Sequence, residues 1–311
     1  MLFLVILGPT AVGKTDLSLL LARRLGGEIV SADSTQVYRG MDIGTDKLPP
    51  EKRGEIPHHL VDIRWPDEGF SAAEFVRLAR EAIEEIAGRG RIPIVAGGTG
   101  LYLRALTEGF AFFPVPPSPS FRRRWEEAFR REGKRALERA RRFLEARAPE
   151  LARRVDLQNP RRVLRALEAA ASGVLSYPDR IPSPFRPLKI GLIRRREEIY
   201  RRIEERVDSQ LRRGLLEEVR ELARRYPQRP PAFSALGYKE VLAYLDGTLS
   251  YPEMVETLKK NTRRFAKRQI TWFRKEREVF WYNLSAWPEE KVVQEVELLL
   301  RIHARPDLDG G

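Results

Sequence analysis

Lys14 and Thr15 close the octapeptide Gly8-Pro9-Thr10-Ala11-Val12-Gly13-Lys14-Thr15, which fits the phosphate-loop pattern G-x-x-x-x-G-K-[ST] at every fixed position. Its glycines let backbone N–H groups curl around phosphate oxygens. The Lys14 ammonium would pair with the terminal phosphates, and the Thr15 hydroxyl would ligate Mg²⁺. The loop therefore implies a phosphate chain with Mg²⁺, without saying which phosphorylated molecule carries it. Two further groups of chemical interest follow: a carboxylate at Asp33 and a hydroxyl at Thr99, the latter inside Gly97-Gly98-Thr99-Gly100.

These side chains need a scaffold. Phe3, Leu4, Val5, Ile6 and Leu7 form an apolar run of buried-strand type, and Leu17, Leu20, Leu21 and Leu25 recur at helical spacing after the loop. The helix N-terminus adds partial positive charge to the loop. The bland alternative is a glycine turn before an ordinary helix; the flanking strand and helix weigh against it. Residues 28–32 read as a second strand ending at Asp33. Ligands of open α/β sheets sit beyond the carboxyl ends of the strands, so Asp33 would face the phosphate-loop crevice. A carboxylate there can be a base or hold Mg²⁺ through water; it can equally be a cap or turn former. Residues 92–96 read as a third strand, whose end would expose Thr99 in the crevice opposite Asp33.

The remaining chain supplies a larger frame. Residues 57–63 look like a short strand, on which His58 and His59 would point to opposite faces; structural roles suit them better than metal binding. Ser71-Ala72-Ala73-Glu74 is a capping-box signature opening a helix with Phe75, Ala79, Ala82, Ile83 and Ile86 on one face. A proline-rich stretch over 112–119 marks a boundary. Residues 122–154 are basic and helical in pattern, and a further helix over 160–171 follows Asp156-Leu157-Gln158-Asn159. We read 112–185 as a basic helical insertion domain, with 1–111 and 186–311 forming the core. Residues 188–193 read as a fourth strand. Helices are expected over 197–213, 215–226, 234–245 and 251–277, then a last strand over 279–282 and a frayed polar tail from Ala304. The 251–277 stretch interleaves Phe265, Trp272 and Phe273 with nine Lys/Arg between 259 and 277. That mixture suits nucleic-acid contact with base stacking, or a helix with a buried aromatic face and a solvated basic one. The expected fold is α/β, a P-loop NTPase-like parallel sheet core with a helical insertion domain and a helical C-terminal region.

Composition narrows the function. The 311 residues include no cysteine, which excludes disulfides and cysteine-ligated zinc, and three histidines, which disfavour a histidine-rich metal site. No apolar run reaches the roughly 20 residues of a membrane span, and a strand starting at Phe3 leaves no room for a targeting segment. The cytoplasm is the expected location. Of the net charge of +13, residues 1–111 carry −2, residues 112–170 carry +8 and residues 171–311 carry +7. Such a bias points to a polyanionic partner, with nucleic acid foremost, or to solvated arginine faces.

Together these motifs resemble the tRNA dimethylallyltransferase (isopentenyl-tRNA transferase) family. The resemblance runs through GPTAVGKT (8–15), DSTQVYRGMDIGT (33–45), PHHLVDI (57–63), IPIVAGGTGLYLRAL (92–106), NPRRVLRALE (159–168), RIEERVDSQLRRGLLEEV (202–219), ALGYKE (235–240) and NTRRFAKRQITWFRKE (261–276). It departs at Gly44-Thr45-Asp46-Lys47-Leu48, where the family commonly has Gly-Thr-Ala-Lys-Pro, and at Asn159, where an acidic residue is usual. The resemblance implies transfer of a dimethylallyl group from dimethylallyl diphosphate to the N6 amine of adenosine 37, just 3′ of the anticodon, in tRNAs reading codons that begin with U. Diphosphate would be the leaving group, held by Gly8, Thr10, Ala11, Val12, Gly13, Lys14 and Thr15, with Mg²⁺ on Thr15. Asp33 would accept the amine's proton and Thr99 would hydrogen-bond near the phosphates or the adenine. Ser34, Thr35 and Gln36 would hold the flipped base. Gln158, Asn159, Arg161, Arg162, Gly237, Tyr238, Lys239 and Glu240 would contact the tRNA anticodon stem-loop, and Arg202 and Arg206 would assist at the diphosphate or the RNA backbone. The enzyme would work as a monomer without a membrane. Two rivals remain: an ATP-dependent small-molecule kinase, which leaves the basic C-terminal third unexplained, and a non-catalytic RNA-binding NTPase switch.

Overall fold

The structure, a computed structural model, describes residues 1–113, 115–116, 118–178, 180 and 183–304. Pro114 and Pro117 of the proline-rich stretch and the tail beyond Ala304 lie outside them. Two compact units result: Met1–Glu108 with Ser183–Gly311, and Gly109–Pro182.

In the first unit the apolar runs become β1 (Leu2–Leu7), α1 (Lys14–Leu25), β2 (Glu28–Ser31), α2 (Pro50–Arg53), β3 (His58–His59), α3 (Ala72–Gly88), β4 (Pro93–Gly97) and α4 (Gly100–Thr107). The second unit contributes α5 (Pro119–Glu132), α6 (Lys134–Arg147), α7 (Pro149–Arg154) and α8 (Pro160–Ala171). The chain then returns through β5 (Arg186–Ile193), α9 (Arg196–Arg212), α10 (Leu215–Arg225), a 3-10 turn (Pro231–Ser234), α11 (Tyr238–Leu245), α12 (Tyr251–Phe273), β6 (Val279–Asn283) and α13 (Glu289–His303).

The six strands form one sheet in the order β3-β2-β4-β1-β5-β6, and every pairing is parallel. β1 sits inside, with Leu4 opposite Ile94 on one side and Leu188 on the other. Its unbroken apolar run is what a strand covered on both faces requires. Leu4 and Ile6 join Leu17 and Leu21 of α1 and Val292 and Val296 of α13 in one buried cluster. Phe3, Val5 and Leu7 point the other way and are also buried. The expected capping box is present at the start of α3: Ser71 Oγ accepts from Glu74 N at 3.2 Å, and Glu74 Oε2 accepts from Ser71 N at 3.0 Å. A second core gathers Val207, Leu215, Val219, Tyr238, Val241 and Met254 of α9 to α12 with Met41 of the segment after β2.

Some expected elements are shorter than their patterns, among them the helix over 251–277, which ends at Phe273. The strand over 57–63 shrinks to His58–His59 because Leu60 and Asp62 take left-handed φ of 60° and 59°. The helix over 234–245 starts only at Tyr238, since Ala235 is extended and Gly237 has φ 91°. His59 Nε2 lies 2.7 Å from the buried Glu28 carboxylate, which Arg89 also grips at 2.8 Å.

Among the described residues the second unit has four helices, packed around Ala140, Leu144, Leu151, Val163, Leu167 and Ala170. Its buried Glu168 accepts from Arg122 Nε at 2.6 Å and from the Ser118 amide at 3.0 Å.

Candidate functional site

The phosphate loop leaves β1 and enters α1 at Gly13, whose φ of 113° and ψ of 20° strain any side-chain-bearing residue. Three arginines hold the loop from outside. Arg194 Nε donates to Val12 O, Arg202 Nε to Ala11 O, and Arg206 Nη1 to Thr10 Oγ1, at 2.8, 2.8 and 2.9 Å. Among the described residues the Val12 and Gly13 amides have no backbone acceptor, and the first amides of α1 have none within the helix. The loop is thus a set of unpaired N–H donors at a helix N-terminus, the arrangement that binds an anion. Lys14 Nζ donates to Gly8 O at 3.0 Å and Pro9 O at 2.8 Å. Burial, reinforced by the charge of Arg206, pulls the Lys14 ammonium from 10.5 to about 7.

A cavity of about 290 Å³ opens here. Thr10 to Asp16, Ser31, Asp33, Gln36, Gly97, Gly98, Phe265 and Gln269 line it, together with Lys47, Lys52, Arg53, Arg202, Arg206 and Arg213. The structure therefore brings Asp33, Gln36, Arg202 and Arg206 into one crevice with the phosphate loop. Asp33 Oδ1 accepts from Thr35 N at 2.9 Å, from Thr35 Oγ1 at 2.6 Å and from Gln36 N at 3.4 Å. The carboxylate is both a turn former and a cavity-lining group: one oxygen closes the turn, and among the described residues the other has no partner. Thr99 stands one step outside the lining. Its Oγ1 accepts from Ser34 N at 3.0 Å, so the hydroxyl is spent on ordering the segment after Asp33.

The segment 41–46 shows what lay beyond sequence reasoning. Glu218 of α10 accepts from the Asp42, Ile43 and Gly44 amides at 3.1, 2.7 and 3.1 Å and from the Tyr238 hydroxyl at 2.6 Å. Gln210 of α9 donates to Ile43 O and Gly44 O at 2.8 and 3.1 Å. Gly44 cannot carry a side chain, because a Cβ there would lie 2.4 Å from the Tyr238 ring. Asp46 pairs with Arg206 at 3.1 Å and Arg213 at 3.4 Å, holding both arginines at the cavity. Arg194, Gln210, Glu218 and Gln269 were all missed, because each reaches its partner over a sequence separation above 150 residues.

Four of the residues expected at the RNA have partners or burial within the protein. Gly237, Tyr238 and Glu240 are buried. Tyr238 is spent on Glu218, and Glu240 accepts from Gly237 N at 2.9 Å and Asn261 Nδ2 at 2.8 Å. Of that group only Lys239 is exposed. Asn159 caps α8, its Oδ1 accepting from Arg161 N at 3.2 Å and Arg162 N at 3.3 Å. It belongs with Gln158, Arg161 and Arg162 to the second unit. On α12, Phe273 is buried and Trp272 packs against Gly100 under the Arg104 guanidinium, 4.9 Å from its ring centroid. The Trp272 ring is half-buried, and Phe265 lines the cavity.

Residues 36–276 match the family model described as IPP transferase. The chain belongs to that family. It is 47% identical over 302 residues to the tRNA dimethylallyltransferase of Thermomicrobium roseum, covering 95% of this chain and 91% of the relative. It is 45% identical to that of Geobacillus thermodenitrificans, with 99% and 98% covered. A solved full-length tRNA isopentenylpyrophosphate transferase from Bacillus halodurans superposes with a TM-score of 0.72 at 40% identity, covering 96% and 95%. A eukaryotic dimethylallyltransferase solved acting on tRNA gives 0.77 at 27% identity, covering 99% and 81%.

Proposed function

We infer that this chain is a tRNA-modifying prenyltransferase: it transfers a dimethylallyl group from dimethylallyl diphosphate to the N6 amine of adenosine 37, beside the anticodon, in tRNAs reading codons that begin with U, and releases diphosphate. One observation carries the reading. A cavity lined by an anion-binding loop and several cations also contains the Asp33 carboxylate, so a leaving diphosphate and a departing proton are served in one place.

The loop amides, Lys14, Arg202 and Arg206 receive the charge that grows on the diphosphate as its carbon–oxygen bond breaks. The Asp33 oxygen left free by the turn accepts the proton of the attacking amine. Gln36 lines the cavity beside it, anchored by Ser31 Oγ at 3.0 Å and Thr45 O at 3.3 Å, and with Ser34 and Thr35 it receives the flipped adenine. Thr99 acts by holding Ser34. Gln158, Arg161, Arg162 and Lys239 approach the anticodon stem-loop, and the second unit supplies the basic surface.

The donor set fits a small hard cation. Thr15 Oγ1 would supply an oxygen ligand beside the phosphate oxygens, and among the described residues no group of three His, Cys, Asp or Glu that could hold a metal ion is present. That suits Mg²⁺, which keeps waters and binds through phosphate oxygens; when bound it supplies charge neutralisation to the diphosphate. Among the described residues no helix is long and apolar enough to cross a membrane. The enzyme is proposed to act on tRNA in the cytoplasm, as a monomer. The test is mass spectrometry of nucleosides from unmodified tRNA incubated with the protein, Mg²⁺ and dimethylallyl diphosphate. A prenylated adenosine is expected; its absence, or a requirement for ATP, would overturn the reading.

A further inference from the structure

We propose that Gln269 is a positioning residue that fixes the phosphate loop against the Gly98-Thr99 turn, and so fixes the donor against the acceptor. The proposal rests on the prenyl-transfer reading. β1 and β4 are neighbours in the sheet, and their register ends at Leu7 opposite Gly97. Beyond it the two loops part: among the described residues no backbone hydrogen bond joins residues 8–13 to residues 98–99. Gln269, reaching in from α12, spans that gap. Its Oε1 accepts from Thr10 N at 2.8 Å and its Nε2 donates to Gly98 O at 2.9 Å.

The partners dictate the amide's orientation, since the reverse would set N–H against N–H and C=O against C=O. The side chain is buried, and so is its bond to Gly98 O, which is made where a lost partner is not replaced by bulk water. Each end leads to the chemistry. Thr10 carries Arg206 on its hydroxyl, and the turn leads through Thr99 to Ser34, next to Asp33. Gln269 therefore links the cradle of the leaving group to the segment that carries the base. Without it the donor is still gripped by Lys14, the arginines and the loop amides, but the reacting carbon and the acceptor amine lose their common frame. The loss belongs to the transfer step, not to donor affinity.

Gln269→Met keeps the volume and removes both bonds. Gln269→Glu keeps the shape and the acceptor but donates to Gly98 O only when protonated. Initial rates are measured by nucleoside mass spectrometry with saturating tRNA and varied donor, from pH 5.5 to 8.5, with each variant's Tm alongside. For Gln269→Met, kcat falls tenfold or more, about what a sub-ångström misplacement costs, while the donor KM stays within about threefold. For Gln269→Glu, the rate relative to wild type rises as pH falls, because protonation restores the missing donor. A pure packing role leaves that ratio flat. A flat or rising ratio with increasing pH, or a Gln269→Met kcat equal to wild type, would overturn the proposal. If Gln269→Met does not fold, the Gln269→Glu ratio decides alone. Wild-type turnover without a variant effect sinks this assignment only; no wild-type turnover sinks it together with the prenyl-transfer reading.

Discussion

Glu218→Gln exchanges one carboxylate oxygen for an amide nitrogen at the residue that holds segment 42–44. In the wild type Oε2 takes the Asp42 and Ile43 amides, while Oε1 takes the Gly44 amide and the Tyr238 hydroxyl. Burial, and then the charge of Glu218, push the Tyr238 phenol well up, so it remains a donor. Glutamine keeps a single acceptor oxygen. If that oxygen retains the Asp42 and Ile43 amides, the new NH₂ faces Gly44 N–H and the Tyr238 hydroxyl. The hydroxyl can rotate to accept; the amide cannot. One bond is lost, one donor is stranded and the others lose their charge assistance. At roughly 1–3 kcal/mol for a stranded donor and about 1 kcal/mol for the weakened bonds, the segment is destabilised by roughly 2–4 kcal/mol. Domains of ordinary stability, about 5–15 kcal/mol, survive this. The effect is local, so hydrogen exchange of the Asp42, Ile43 and Gly44 amides reads it directly: protection falls about 30- to 900-fold while β1 and β4 are unchanged. The same loosening frees Thr45 O from Gln36, so KM for tRNA rises and donor affinity holds. Unchanged protection at 42–44 would refute the reasoning, because four short contacts would then contribute nothing to the order of the segment.

Further outcomes follow from the same geometry. Asp33→Asn keeps the turn, since its oxygen still accepts from Thr35 and Gln36, and removes the base; kcat falls about 10²–10⁴-fold with tRNA binding retained, and loss of binding alone would count against Asp33 as base. Lys14 titrates near 7 in the free protein, and a bound diphosphate raises that value by charge pairing. Below pH 7 the ammonium is already present; above it, donor binding must take up a proton, so affinity weakens by up to about tenfold per pH unit. Calorimetry in buffers of different ionisation enthalpy would detect the proton. Asn159→Ala removes the α8 cap and lowers thermal stability by about 1 kcal/mol, whereas Asn159→Asp does not; equal melting of all three would refute the cap.

Much of the active-site outline was legible from short-range pattern. The phosphate loop, its strand and helix, the Ser71–Glu74 capping box and the parallel core strands are each specified within a window of about ten to twenty residues. Asp33 at the end of β2 was legible for the same reason, because a strand end in a parallel sheet locates its residue at the crevice. The burial of Tyr238 and Glu240 was not legible, because their motif gives residue types but not the side to which a helix turns. Tyr238 faces α10, and a helix rotation that buries it cannot be read from Gly-Tyr-Lys-Glu.

The sequence by itself determined the elements, the parallel α/β class, the anion-binding loop and the identity of the groups able to do chemistry, because hydrophobic period and glycine placement act locally along the chain. Only the tertiary structure decided what holds those groups in register. Arg194, Arg202 and Arg206 grip the phosphate loop, Gln269 ties it to the Thr99 turn, and Glu218 with Gln210 fixes the segment around Gly44. Each is a hydrogen bond from a side chain to a group far away in sequence. Such a bond is specified by where two elements pack, and that is settled by burial over the whole core and not by the residues nearby in sequence.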